Sequence, residues 1–72
     1  RESFIEANYK DLSRDAAKGS GEYVMNLARL YGYTPETAVK FTQLLQKNHT
    51  AIFAANSAHN AVTEINRLAG SI

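Results

Sequence analysis

The sequence predicts an all-α fold, a small bundle of four helices forming a single helical domain over residues 1–72. Apolar residues recur at spacings of three and four along each long segment, and no segment alternates as a strand does. Three short interruptions carry residues that end or begin helices. The chain has no cysteine, so a core near the lower size limit for independent folding has no disulfide to support it.

The first helix is expected from about Glu2 to Lys18. Its apolar stripe combines four side chains at helical spacing, Ile5, Tyr9, Leu12 and Ala16. Gly19 and Gly21 then interrupt the pattern, and Ser20 between them is a candidate N-cap for the next helix.

The second helix, about Gly21 to Tyr31, is apolar on nearly every side. Only Asn26 and Arg29 are polar in its body. Such a helix must be covered by other helices, a partner or a ligand. The candidate interaction surface on it consists of Tyr23, Met25 and Tyr31.

A tight corner is expected between the second and third helices. Gly32 can end the second helix, Thr34 can cap the third, and Pro35 suits a first helical turn. The third helix continues without a break to about Ala55 and forms a helical hairpin with a last helix over about residues 58–69. The expected core consists of Leu27, Leu30, Phe41, Leu45, Ile52, Ile65 and Leu68.

The same corner has the layout of a helix-turn-helix DNA-binding module. Its second helix offers four side chains to base edges, Glu36, Thr37, Lys40 and Gln43. Two features argue against this alternative: the net charge is only +1, and the candidate recognition helix is unusually long. Since phosphate contacts need a cationic surface, no nucleic-acid partner is expected.

No arrangement of residues indicates catalysis, so the chain is not expected to be an enzyme and no catalytic residue is assigned. A hairpin near Asn56 would bring Glu64 close to His49, and His59 is the second histidine. Zinc takes three or four protein ligands at defined spacing. Neither a metal site nor a cofactor site is therefore expected.

A set of positions distributed over most of the chain resembles domain of unknown function family 3015. They are Glu2, Ser3, Phe4, Asn8, Leu12, Asp15, Ala17, Lys18, Gly19, Gly21, Glu22, Leu27, Ala28, Gly32, Phe41, Gln46, Asn48, Ile52 and Phe53. The resemblance implies a short exported protein of proteobacteria, located in the periplasm or otherwise outside the cytoplasm, with a signal peptide and a further N-terminal region. It implies no site residues, because the family has no established activity.

These observations predict a helical protein-interaction module of the bacterial cell envelope. The small core and the apolar second helix favour self-association, a protein partner, or contact with a missing N-terminal region of the same chain. From the start at Arg1, inside a helical pattern, a fragment or a processed form is expected, and the resemblance implies that it is the C-terminal part of a longer protein. A carrier of a small apolar ligand is a further alternative, and no membrane span is expected.

Overall fold

The computed structural model describes residues 2–72, which form six helical segments. These are α1 (Glu2–Ala7), α2 (Tyr9–Lys18), α3 (Glu22–Leu30), α4 (Pro35–Lys47), α5 (His49–Phe53) and α6 (Ala58–Ala69). No strand occurs in this part of the chain. The all-α class is confirmed, and helices are interrupted in all three predicted places, near residues 19–21, 31–34 and 55–57.

Two asparagines interrupt the helices that the sequence predicted to be continuous. Asn8 (φ −119°, ψ 27°) and Asn48 (φ −109°, ψ 11°) depart from helical geometry. Each side-chain amide donates to the carbonyl four residues earlier, that of Phe4 at 3.0 Å and that of Leu44 at 2.8 Å. The backbone amide of each asparagine donates to the same carbonyl, so the side chain competes with the helical ladder for one acceptor. The expected first and third helices are therefore each divided in two, and the expectation of four continuous helices is wrong.

A single apolar core lies between the helices, and all six of them contribute to it. Its members are Ile5, Leu12, Ala16, Val24, Leu27, Ala28, Ala38, Phe41, Leu45, Ile52, Ala61, Val62, Ile65 and Leu68. The core prediction is confirmed except at Leu30, whose side chain is 51% exposed. The buried face of α3 is defined by Val24, Leu27 and Ala28, and a helix of about 3.6 residues per turn places Leu30 beyond the edge of that face.

The dimensions are those of one chain that closes its own core. The accessible surface is 4296 Å², against about 4,400 Å² expected for a folded monomer of this mass. The radius of gyration is 10.4 Å, against about 11 Å expected for a compact domain of this length. The fold therefore exposes no more surface than an ordinary small monomer.

The N-terminus of α3 is held by a side chain from α2. The Tyr23 amide donates to Asp15 Oδ2 at 2.8 Å, and Asp15 is only 2% exposed. The predicted cap at Ser20 is wrong, because the N-cap position is Gly21 and no side chain at that position makes a capping bond. A carboxylate from the preceding helix thus accepts the hydrogen bond that an N-cap side chain normally accepts.

Gly21 makes this arrangement possible in two ways. Its backbone lies at φ 135° and ψ 168°, a region open essentially to glycine alone. A Cβ atom at this position would also overlap the Asp15 carboxyl group. The glycine therefore permits both the backbone path into α3 and the close approach of the capping carboxylate.

Candidate interaction surface

The corner between α3 and α4 has the predicted geometry. Gly32 takes a left-handed conformation at φ 81°, and the Tyr33 amide donates to the Ala28 carbonyl at 3.2 Å. The Thr34 hydroxyl accepts a hydrogen bond from the Thr37 amide at 3.3 Å, which caps α4. These contacts end one helix and begin the next within four residues, 31–34.

Aromatic packing fixes the corner to α4, and two hydroxyl hydrogen bonds fix it to the C-terminal end of α6. The rings of Tyr31 and Tyr33 stack at 5.6 Å with 8° between their planes, and both lie against Phe41 at 5.3 and 5.2 Å. The Tyr31 hydroxyl donates to Asn66 Oδ1, and the Tyr33 hydroxyl donates to the Ala69 carbonyl at 3.3 Å. The corner is therefore held by α4 and α6 together.

The three residues predicted as an interaction surface are half-buried. Tyr23, Met25 and Tyr31 all pack against the core of their own chain. Most of the apolar circumference of α3 is thus covered within one molecule. The large apolar side chains that remain exposed are Leu30 at 51%, Val39 at 52% and Ile72 at 42%.

Two of these exposed residues flank the α3–α4 corner in sequence. Leu30 ends α3, and Val39 lies in the second turn of α4. Ile72 follows Ala69, whose carbonyl accepts the Tyr33 hydroxyl hydrogen. We call Leu30, Val39 and Ile72 the corner surface. The sequence pattern did not single them out as a group, because Leu30 was assigned to the core and no helical stripe joins the three.

The outer face of α4 carries the residues considered for DNA contact. Glu36, Lys40 and Gln43 are exposed, while Thr37 is half-buried. Because α4 ends at Lys47, its 13 residues remove the objection that the recognition helix is too long. The charge of this face still disfavours DNA contact, since Glu36 precedes Lys40, the only lysine of the four.

The structure ties His49 and Glu64 to different partners. His49 Nδ1 lies 2.8 Å from the Gln46 carbonyl oxygen, and Glu64 forms an ion pair with Arg67 at 2.8 Å. Across residues 2–72, no group of three histidine, aspartate or glutamate side chains is placed to hold a metal ion.

His59 instead lines a cleft of about 260 Å³ between α1 and α6. Its lining is largely polar and consists of Glu2, Glu6, His59, Val62, Thr63 and Asn66. Val62 is the one aliphatic residue among them. This lining does not favour a small apolar ligand, which requires mostly hydrophobic walls.

Asp15 is the buried polar residue with the most evident structural role, and sequence reasoning did not assign it one. The sequence feature that could have revealed this role is the position of Asp15, three residues after Leu12 on the apolar face of the first predicted helix. A carboxylate there needs a buried hydrogen-bond donor. The uncapped start of the following helix supplies that donor.

The fold defines a small all-helical domain with one core and three large apolar side chains left exposed. Residues 1–70 match the family described as "Protein of unknown function (DUF3015)", and the chain belongs to this family. This confirms the resemblance found in the sequence. No curated protein and no solved structure matches the chain. Among the helices of residues 2–72, none is long and apolar enough to cross a membrane.

Proposed function

We propose that this chain is a non-catalytic protein-interaction module of the bacterial cell envelope. The observation that carries the proposal is the half-exposed pair Leu30 and Val39 on the two helices that meet at the corner. Large apolar side chains left exposed on two helices that pack together favour contact with another protein surface. Exposed Arg29 and Lys40 adjoin this pair in sequence, as polar residues do at the rim of an interface.

The rigidity of the corner supports the same proposal. Leu30 and Val39 are separated by a turn that is fixed by stacked tyrosine rings, a threonine cap and hydrogen bonds to α6. A surface held in one conformation before binding loses less conformational entropy on association. Leu30 and Val39 are thus suited to contact a partner without rearrangement.

The envelope location is part of the proposal and rests on what the family resemblance implies. Osmotic-shock fractionation of the bacterium that produces the protein tests it directly. We expect the protein in the periplasmic fraction together with a periplasmic marker enzyme. Its recovery with a cytoplasmic marker instead would contradict the location.

Site-specific photo-crosslinking in the producing cell tests the interaction. Benzoylphenylalanine replaces Leu30 or Val39 in two separate variants. Lys10 and Thr63, exposed residues on α2 and α6, serve as matched control positions. We expect a discrete crosslinked species at positions 30 and 39, either a dimer or an adduct with another protein, and none at the controls. Equal crosslinking at all four positions, or none at any, would contradict the proposal.

A further inference from the structure

Asn56 differs from every other asparagine of the chain in its surroundings. The sequence contains six asparagines. The side chains of five make hydrogen bonds, namely those of Asn8, Asn26, Asn48, Asn60 and Asn66. The Asn56 side chain makes none within the described residues and is exposed.

The backbone around Asn56 is also unusual. It is the only non-glycine residue in the described chain with a positive φ, 50°, and it lies in the loop between α5 and α6. Asparagine tolerates this left-handed conformation better than most residues. The Ser57 amide hydrogen makes no hydrogen bond to any residue of the described part. Neither of the two groups needed for an intramolecular reaction, the Asn56 side-chain amide and the Ser57 backbone nitrogen, is therefore held by a hydrogen bond.

We propose that Asn56 is a site of spontaneous deamidation in the folded protein. The Ser57 backbone nitrogen attacks Cγ of Asn56 and loses its proton to water. Nδ2 takes up a proton from water, the Cγ–Nδ2 bond breaks and ammonia leaves, which gives a five-membered succinimide. Water then opens either carbonyl of the ring, and the products are aspartate or isoaspartate at position 56.

Asn60 shows why the other sites are protected. It is also followed by a small residue, Ala61. Its side chain donates to the Ile52 carbonyl at 3.1 Å, and the Ala61 amide donates to the Ser57 carbonyl at 3.0 Å. The same attack there requires breaking both hydrogen bonds. The need to break one hydrogen bond before the attack slows the reaction about fivefold. The need to break both slows it further.

The modification falls at the start of α6. Ser57 caps this helix by accepting the Asn60 amide hydrogen at 3.3 Å. An aspartate at position 56 places a negative charge beside a helix N-terminus, where it is favourable. An isoaspartate instead inserts a methylene group into the main chain directly before the capping residue, so the two products affect α6 differently.

Mass spectrometry of the folded chain, aged in mildly alkaline buffer, tests the proposal. Trypsin cleavage after Lys47 and Arg67 releases a fragment that contains four of the asparagines, Asn48, Asn56, Asn60 and Asn66. We expect conversion at position 56 at least about fivefold faster than at the other three. Fragment ions diagnostic of isoaspartate should appear there first.

Two variants and one condition serve as controls. Ser57→Thr keeps a capping hydroxyl and places a branched side chain beside the attacking nitrogen, so conversion at Asn56 should slow while the melting temperature is retained. Asn56→Gln should remove the rapid conversion. Faster conversion at another asparagine would overturn the proposal. So would conversion at Asn56 in denaturant but not in the folded chain, because the fold would then protect the site.

Discussion

At the scale of single residues, the contact between Asp15 and α3 shows how a buried charge is accommodated in this fold. The carboxylate is 2% exposed, accepts the Tyr23 amide hydrogen, and has Arg14 and Lys18 within 3.7 and 3.9 Å of Oδ1. Both basic side chains are more than half exposed, so solvent screens their attraction for Asp15. The hydrogen bond to the helix N-terminus is therefore the main stabilising contact of this carboxylate.

Replacing Asp15 tests this assignment. Asp15→Ala should lower the free energy of unfolding by about 1–3 kcal/mol, because it removes the acceptor and leaves the Tyr23 amide without a partner. Asp15→Asn keeps an acceptor oxygen and should cost less than half as much. Chemical denaturation of the two variants measures the difference. Equal losses for alanine and asparagine would show that the hydrogen bond does not matter.

Two glycines with positive φ provide a matched pair. At Gly32 an added Cβ meets nothing within 4 Å, so Gly32→Ala should cost only the backbone strain, about 1–2 kcal/mol. Gly21→Ala should cost more than about 3 kcal/mol, because the methyl group also overlaps the Asp15 carboxyl group. Thermal melts of both variants check this order. In an Asp15→Ala background the cost of Gly21→Ala should fall, and an unchanged cost would contradict the proposed overlap.

Local sequence rules predicted the roles of Gly32 and Thr34 but not the role of Asp15. The helix-ending role of Gly32 and the capping role of Thr34 depend on neighbours in sequence, so local rules predicted both correctly. The role of Asp15 depends on a helix that begins seven residues later and folds back against it. A local rule assigned the cap to Ser20, the nearest hydroxyl, because it contains no information on tertiary contacts.

At the scale of helices, the two asparagine interruptions separate segments that pack against one another. Tyr9, directly after the first interruption, places its ring edge-on against Phe53 of α5 at 5.3 Å. The segment α5 exists as a separate helix because of the second interruption, at Asn48. Apolar periodicity continues through both asparagines, so a pattern based on hydrophobicity does not detect either break.

The orientation of α3 can be tested with a pair of leucines. Leu27 is fully buried and Leu30 is 51% exposed. Leu27→Ala should therefore destabilise the chain by about 2–5 kcal/mol, whereas Leu30→Ala should change stability by less than about 0.5 kcal/mol. Urea titration followed by helical circular dichroism measures both changes. Similar losses of stability for the two variants would mean that α3 presents a different face to the core.

At the scale of the whole molecule, the charge distribution bears on DNA binding. We expect no recognition of duplex DNA, although α4 is short enough and its outer face is exposed. A protein that neutralises six to ten phosphates loses roughly 10³ to 10⁵ in affinity between 50 and 200 mM salt, which requires several clustered cations. The four candidate side chains on α4 include one lysine and one glutamate. Micromolar binding to random duplex at low salt, weakened by Lys40→Ala, would contradict this expectation.

One chain closes its own core, and we expect that it needs no second chain to cover α3. Amide hydrogen exchange of the isolated chain over a dilution series tests this claim most directly. We expect the strongest protection at the buried residues Phe41, Leu45 and Ile65, and protection that does not change with protein concentration. Association through the corner surface should add protection only near that surface. Core protection that disappears on dilution would contradict the account, because the core would then be completed by another copy.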